Sequence, residues 1–373
     1  MLNAMSVIGS ATPEGTTRYH QRHPCHPDSV RRFQDVWASS IGLGTYLGDP
    51  DEHTDRLYAQ AIETAVSRGC NLIDTAINYR CQRSERTIGE TLERLIQQGT
   101  IAREELVLCT KGGYLPFDAS PPADPGRYVV EAFFQPGIIQ YDDLVAGCHC
   151  LHPRYLEGQL RTSLKNLRLE TVDVYYLHNP EQQLEAIPRD GFLTRMEAAF
   201  RLLEQQATSG TIRWYGTATW NGYRANPRAP DYVSLQELVD LARRVGGESH
   251  HFRVVQLPLN LAMPEAYAFK NQVVNGEPMT LLEAAKRLGI SVVISASLMQ
   301  SQLTKLPDAL EQLIPGLQTD AQRAIQFVRS APGVTTALVG MKRTLHVEEN
   351  LALAQAPPLS AEQVSRLFVR TGR

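Results

Sequence analysis

From Trp37 to Gln355 the chain alternates short β-branched or aromatic runs with helix-length segments, and it does so eight times. The strand-like runs lie near residues 37–43, 71–75, 105–110, 172–177, 212–217, 253–257, 291–296 and 335–339. The helical segments lie near 55–68, 84–98, 153–167, 194–209, 234–245, 279–288, 320–330 and 344–355. Strand followed by crossover helix is how a parallel sheet is built. Several helices stop at a glycine that accepts left-handed backbone, as in Ser209-Gly210 and Leu288-Gly289. Eight such units close into an α/β fold, a (β/α)8 TIM barrel, because closure leaves no strand edge unpaired. An open, doubly wound sheet would need a glycine-rich loop running straight into a helix after its first strand. Ile41-Gly42-Leu43-Gly44-Thr45 has the glycines but no helix close behind.

This assigns residues 36–373 to one barrel domain. Residues 1–35, rich in His, Arg, Pro, Ser and Thr without sustained periodicity, read as an N-terminal extension on the surface or partly disordered. Long βα loops interrupt the period near 114–151 and 220–232. Such loops lie on the catalytic face of a barrel, so both are expected to wall or cover the pocket and to set substrate choice. Trp214, Trp220 and Met341 read as packing residues.

A net charge of -3 and a pI near 6.4 give no basic field for nucleic acid or an anionic membrane, which points to a small-molecule substrate. The apolar runs are strand-length, and the N-terminus lacks the pattern of a secretory signal, so a cytoplasmic location and no membrane segment are expected. The six cysteines are too few for a disulfide framework in a chain of this length and read as reduced thiols. Cys148-His149-Cys150-Leu151-His152 is a dense soft-ligand cluster. Adjacent ligands strain a tetrahedral site, however, and no distant partner pair is evident, so no metal site is expected.

Three strand ends carry the chemistry. Leu72-Ile73-Asp74, Leu108-Cys109-Thr110-Lys111 and Tyr176-Leu177-His178 each run from apolar residues into an ionisable group, and Tyr79 follows the first closely. Polar residues at the C-terminal ends of barrel strands read as catalytic. A phenol is a weak acid with a pKa of about 10, and a neighbouring ammonium lowers it. Lys111 beside Tyr79 would do this, with Asp74 holding the ammonium and His178 orienting a carbonyl by hydrogen bonding.

The sequence resembles the aldo-keto reductases over roughly residues 37–370. The resemblance rests on Gly42-Leu43-Gly44-Thr45-Tyr46, Asp74-Thr75-Ala76-Ile77-Asn78-Tyr79, Thr110-Lys111-Gly112 and Asp173-Val174-Tyr175-Tyr176-Leu177-His178-Asn179-Pro180. Weaker matches follow in order at Gly210 to Gly216, Gln256, Asn260, Pro332 to Gly340 and Glu349-Asn350-Leu351. The resemblance implies a barrel that reduces an aldehyde or ketone with NADP(H). Asp74, Tyr79, Lys111 and His178 then stand as the catalytic tetrad, with Tyr79 the general acid. It further implies that Gly44, Thr45, Asp74 and Gln256 line the nicotinamide floor and that Glu349 and Asn350 meet the adenine. Lys342, Arg343 and His346 supply positive charge for the 2'-phosphate.

The sequence also departs from the family pattern. Ala218-Thr219 replaces the Ser-Asn pair that holds the carboxamide, Ser295 stands where a ring stacks on the nicotinamide, Arg80 replaces a Gly and His346 an Arg. These changes keep two alternatives in view: an isomerase or lyase that retains only the acid-base residues, and a non-catalytic nucleotide-binding redox sensor.

Overall fold

The computed structural model describes residues 6–368. Its centre is a closed barrel of eight parallel strands. These are β3 (Ile41–Gly44), β4 (Leu72–Asp74), β5 (Val107–Gly112), β6 (Val172–His178), β7 (Ile212–Ala218), β8 (Phe252–Pro258), β11 (Ser291–Ser295) and β12 (Thr336–Gly340). The remaining strands form two antiparallel hairpins outside the barrel, β1 (Val30–Phe33) with β2 (Val36–Ser39) and β9 (Gln272–Val274) with β10 (Glu277–Met279). The crossover helices are α2 (Glu52–Ser67), α3 (Arg83–Gln97), α5 (Pro153–Leu167), α6 (Arg189–Thr208), α7 (Leu235–Gly246), α9 (Leu281–Arg287), α11 (Asp320–Ser330) and α12 (Thr344–Leu351). Helix α1 (Pro13–Arg22) precedes the barrel; α4 (Pro125–Val129), α8 (Glu265–Ala268), α10 (Ala309–Leu313) and α13 (Ala361–Arg366) are short additions.

Local chemistry accounts for the element ends. Asp51 caps α2 by accepting from Thr54 N at 2.7 Å, and Thr280 caps α9 in a reciprocal pair with Glu283. Gly210, at φ 80°, ends the turn after α6 in a conformation that other residues adopt at a cost. The helices bury one face against the outer barrel surface, where Ile62, Leu92, Leu160, Phe200, Leu238 and Ile325 join Ile73, Leu108, Tyr175 and Tyr215 in one core.

The run read as one strand over 37–43 divides at Ser40. Its first part is β2, which pairs with β1; its second is β3, which pairs with β4 and β12. Phe33, Val36 and Ala38 from the hairpin, with Ala11, join Leu72, Val107, Val174, Trp214 and Val254 in a second core inside the barrel. Residues 1–35 thus include an ordered helix and half of a hairpin that closes the barrel floor. Tyr19 of α1 is fully buried and donates to Val66 O at 2.5 Å. Asp173, also buried, accepts from Ala11 N at 2.7 Å, Leu108 N at 2.8 Å and Arg103 Nη2 at 2.8 Å.

Side chains alternate along a strand, so residues two steps beyond the floor core point into the barrel at its C-terminal end. From Leu72, Val174 and Val254 this brings Asp74, Tyr176 and Gln256 inward, and a further step on β6 brings His178. Register completes the ring: Gly44 lies opposite Asp74 and Gly340, and Ala218 lies opposite His178 and Gln256. Among the described residues, no helix is long and apolar enough to cross a membrane.

Candidate active site

At the C-terminal mouth lies a cavity of about 480 Å³ lined by Gly44, Thr45, Asp74, Tyr79, His178 and Gln256 among others. Lys111 is fully buried beneath it. Its Nζ donates to Asp74 Oδ1 at 2.5 Å, Thr75 O at 2.8 Å and Tyr79 Oη at 3.3 Å, and lies 4.8 Å from the Tyr79 ring centre. Gln256 Nε2 donates to the second Asp74 oxygen at 2.8 Å. The ammonium's three donors and both carboxylate oxygens therefore have partners, as a buried ion pair requires.

Burial opposes the Lys111 charge, yet Asp74 and Tyr79 outweigh it and hold the ammonium above its ordinary pKa. Tyr79 differs from the sequence expectation. Lys111 does pull its phenol down, but burial pushes harder the other way, aided by Asp74, so the net displacement is upward. His178 is driven well below the ordinary imidazole range by burial, with Lys111 and His149 adding to the effect, so it is neutral at pH 7. Its ring sits edge-on to Tyr79 and Tyr114, with centroids 5.8 and 5.0 Å away, and its Nδ1 is buried without a hydrogen-bond partner.

The structure brings together Asp74, Tyr79, Lys111 and His178, with Gly44, Thr45 and Gln256 around them. Lys342, Arg343, His346, Glu349 and Asn350 lie outside this cavity, on α12 and the turn before it. Lys342 is half-buried, while Arg343 and His346 are exposed. Glu349 accepts from Thr319 Oγ1 at 2.6 Å, and Asn350 is buried with its Oδ1 unpartnered.

Two expectations about the walls need correction. Of residues 114–151 only Tyr114 lines the cavity. The rest folds beside the barrel, where Ile139 and Cys150 pack on Tyr155 with Leu115, Phe133, Phe134, Ile138 and Leu144, because its apolar side chains find one another before they reach the mouth. Trp220, read as packing, is 48% exposed and lines the cavity. Its backbone N–H, with those of Asn221 and Gly222, donates to Glu181 Oε1, which fixes the loop at that point.

A further wall is Ser295–Ser301, which the resemblance marked only at Ser295, with Ser295, Ala296, Ser297, Leu298, Gln300 and Ser301 all on the cavity. Tyr46, Asn78 and Asn179 also line it. Arg80 is buried and ties Asp49 O, Asp51 O and Asp55 to the turn after Tyr79, stacking over the Tyr58 ring at 5.3 Å. Arg80, Cys81 and Gln82 are three successive non-glycine residues with φ of 50°, 54° and 68°, and this anchoring holds them there.

The strand ends of the parallel barrel thus hold a buried lysine–carboxylate pair under a phenol, at the end of the barrel where such folds place their active sites. The chain belongs to the aldo/keto reductase family, whose model matches residues 40–238. It is 24% identical over 343 residues to the uncharacterized oxidoreductase YqkF of Bacillus subtilis (strain 168), a match covering 90% of this chain and 94% of that protein. A shorter match, 26% over 141 residues, links it to mouse aldo-keto reductase family 1 member C13, covering 38% and 32% of the two chains. Among solved structures, glycerol dehydrogenase AKR11B4 from Gluconobacter oxydans superposes with a TM-score of 0.63 at 19% identity, covering 92% of this chain and 96% of that one. An aldo/keto reductase from Klebsiella pneumoniae, crystallised with NADP and acetate, gives 0.60 at 19% identity over 91% and 94%.

Proposed function

We propose that the protein reduces an aldehyde or ketone to an alcohol with NADPH, and that Tyr79 is the general acid. The observation that carries this reading is the buried contact series from Gln256 through Asp74 and Lys111 to Tyr79 Oη, which ends at the cavity beside a neutral His178.

The residues at the mouth suit a nicotinamide nucleotide. Thr219 Oγ1, Ser297 Oγ and Asn78 Oδ1 are buried side-chain atoms without partners, on residues that line the cavity. Unpaired buried polar atoms are costly, and a ligand rich in amide and hydroxyl groups would satisfy them. Thr219 supplies a hydroxyl in place of the Ser-Asn pair. Gly44, Thr45 and Gln256 would flank the nicotinamide, while Lys342, Arg343 and His346 would meet the 2'-phosphate, with Glu349 and Asn350 beside the adenine. When bound, the cofactor supplies hydride for the carbonyl carbon.

His178 orients the carbonyl oxygen, and Tyr79 transfers its proton to that oxygen as the C–O double bond becomes a single bond. The phenolate left behind lies 3.3 Å from Lys111 Nζ, which stabilises it until a solvent proton returns. Barrel walls exclude water from Lys111 throughout, which strengthens that electrostatic effect.

Titration with NADPH, followed by quenching of intrinsic fluorescence, tests the binding half of the reading. Steady-state reduction of 4-nitrobenzaldehyde by wild type and Tyr79→Phe tests the chemical half. We expect saturable binding to both proteins and a loss of turnover in the variant of about 100-fold or more. Full turnover by Tyr79→Phe would remove Tyr79 from its role. Failure to bind NADPH would favour the isomerase or lyase alternative, to which Ser295 lends support by placing no ring at the stacking position.

A further inference from the structure

We infer that His149, in the segment after β5, is a positioning residue for His178 and acts through the His178 backbone as one fixed tautomer. This inference rests on the carbonyl-reductase reading for its kinetic consequence, and on geometry alone for its structural one.

The geometry is a line of hydrogen bonds with only one possible polarity. Arg195 on α6 donates from Nη1 to Gln183 Oε1 at 2.5 Å, and from Nη2 to Asp142 O at 2.5 Å. A guanidinium can only donate, so the Gln183 carbonyl must face it and the Gln183 amide nitrogen must face the other way. That nitrogen lies 2.7 Å from His149 Nδ1. Nδ1 must then be the acceptor, which leaves the ring proton on Nε2. Nε2 lies 2.7 Å from His178 O, which can only accept. Every link agrees, and reversing any one would set donor against donor or acceptor against acceptor.

His149 and Gln183 are both fully buried, so water is not available to repair a broken link. Burial also draws His149 down to about 4, consistent with a neutral ring whose Nδ1 accepts.

The far end of the line meets a ring packed edge-on against Tyr79 and Tyr114 but without a hydrogen bond at Nδ1. No side-chain hydrogen bond there sets the orientation of His178. What holds the residue is its C-terminal peptide. His149 binds the carbonyl oxygen, while the N–H of the same peptide, from Asn179, donates to Ala218 O at 2.6 Å. Asn179 is in the left-handed region at φ 44°, a conformation that costs energy and needs such anchoring.

Gly113 provides an independent observation. Its φ is 139°, and an added Cβ would stand 2.9 Å from His149 Nε2 and 3.1 Å from His178 O. A residue without a side chain therefore sits against this contact, and any other residue there would press it apart. The sequence cluster around Cys148, His149 and Cys150 is accounted for without a metal: both His149 nitrogens have protein partners, and Cys150 packs on Tyr155.

The test uses full-length wild type, His149→Phe, His149→Gln and Gln183→Leu. Reduction of 4-nitrobenzaldehyde with NADPH should fall in kcat by about 10- to 100-fold in His149→Phe, because small misplacements of an orienting group are costly. The KM for NADPH should stay within about twofold, and His149→Gln, which restores an N–H donor, should recover most of the loss. Long-range nitrogen–proton correlation spectra should show His149 as the Nε2-protonated tautomer in wild type, a loss of that single tautomer in Gln183→Leu, and displaced His178 ring signals in His149→Phe. The idea is sunk if His149 carries its proton on Nδ1 in wild type, or if His149→Phe leaves both kcat and the His178 signals unchanged. A wild type that reduces no carbonyl would overturn the proposed function, and the spectra would still decide the role of His149. If His149→Phe fails to fold, Gln183→Leu carries the test: loss of the single His149 tautomer with displaced His178 signals supports the inference, and unchanged spectra overturn it.

Discussion

Gln256 donates to Asp74 Oδ2 at 2.8 Å, on the opposite side of the carboxylate from Lys111. A side chain assigned by resemblance to the nicotinamide thus also holds Asp74, one of the residues proposed for acid-base work. Gln256→Leu should lower turnover by about tenfold or more, since a buried hydrogen bond to a charged group contributes about 1.5–3 kcal/mol. Steady-state kinetics at saturating NADPH separate this from weakened binding, and an unchanged kcat would show that Lys111 alone suffices to hold Asp74.

The pH dependence of reduction follows from the two displaced groups. Tyr79 titrates above its usual range and His178 well below its own. The acid must be protonated and the imidazole neutral, so the free enzyme keeps its working protonation states between about pH 6.5 and 10, the ordinary values from which the two groups move outward. A kcat/KM profile flat from about pH 7 to 9 is expected. An inflection near pH 7 would assign a different titrating group to the reaction.

Cofactor choice should depend on charge beside α12. Arg343→Glu replaces a cation with an anion at the start of that helix, where anions are otherwise favoured. Equilibrium binding should weaken for NADPH by about tenfold or more while NADH changes by less than about threefold. Equal losses for both nucleotides would place the 2'-phosphate elsewhere.

Asp173 ties the N-terminal segment to the barrel through Ala11, Leu108 and Arg103, all at 2.7–2.8 Å. Asp173→Ala leaves Arg103 buried and unpaired, which typically costs about 3–5 kcal/mol. Urea unfolding measures this directly, and a cost below about 1 kcal/mol would mean that the floor tolerates the loss.

Acid should destabilise the fold through His149. Its folded pKa of about 4 lies below the ordinary 6.5, so the unfolded chain takes up the proton first as pH falls. The stability from the neutral ring is complete above pH 6.5 and is lost as pH falls through 6.5 towards 4. Melting temperatures of wild type and His149→Phe should therefore converge between pH 7.5 and 4.5. A constant difference would mean that His149 does not titrate in this window.

The barrel was legible because its strands are apolar runs long enough to show against their flanks, and because Asp74, Lys111 and His178 interrupt them at the same end. The floor hairpin was not. Val30–Phe33 carries two arginines, and its burial depends on partners such as Trp214 that lie far along the chain. The wall after β11 was marked by the resemblance at Ser295, but the turn beyond it was hidden for another reason. Ala296, Met299, Gln300 and Ser301 all adopt positive φ, from 46° to 70°, without the Gly or Asn that usually announces such a loop. His149 stood in a soft-ligand cluster with no role assigned to it because its partners, Gln183 and His178, are distant in sequence. The family resemblance suggested roles for Gln256 and Glu349, but not the contacts with Asp74 and Thr319 that engage them.

The floor has a consequence for how the molecule is assembled. Ala11 N binds Asp173, 162 residues later, and Ser39 O binds Thr336 Oγ1, 297 residues later. The segment that seals the barrel leaves the ribosome before the strands that receive it. Phe33 and Val36 gain their full set of neighbours only once Leu72, Val107, Val174, Trp214 and Val254 have been made.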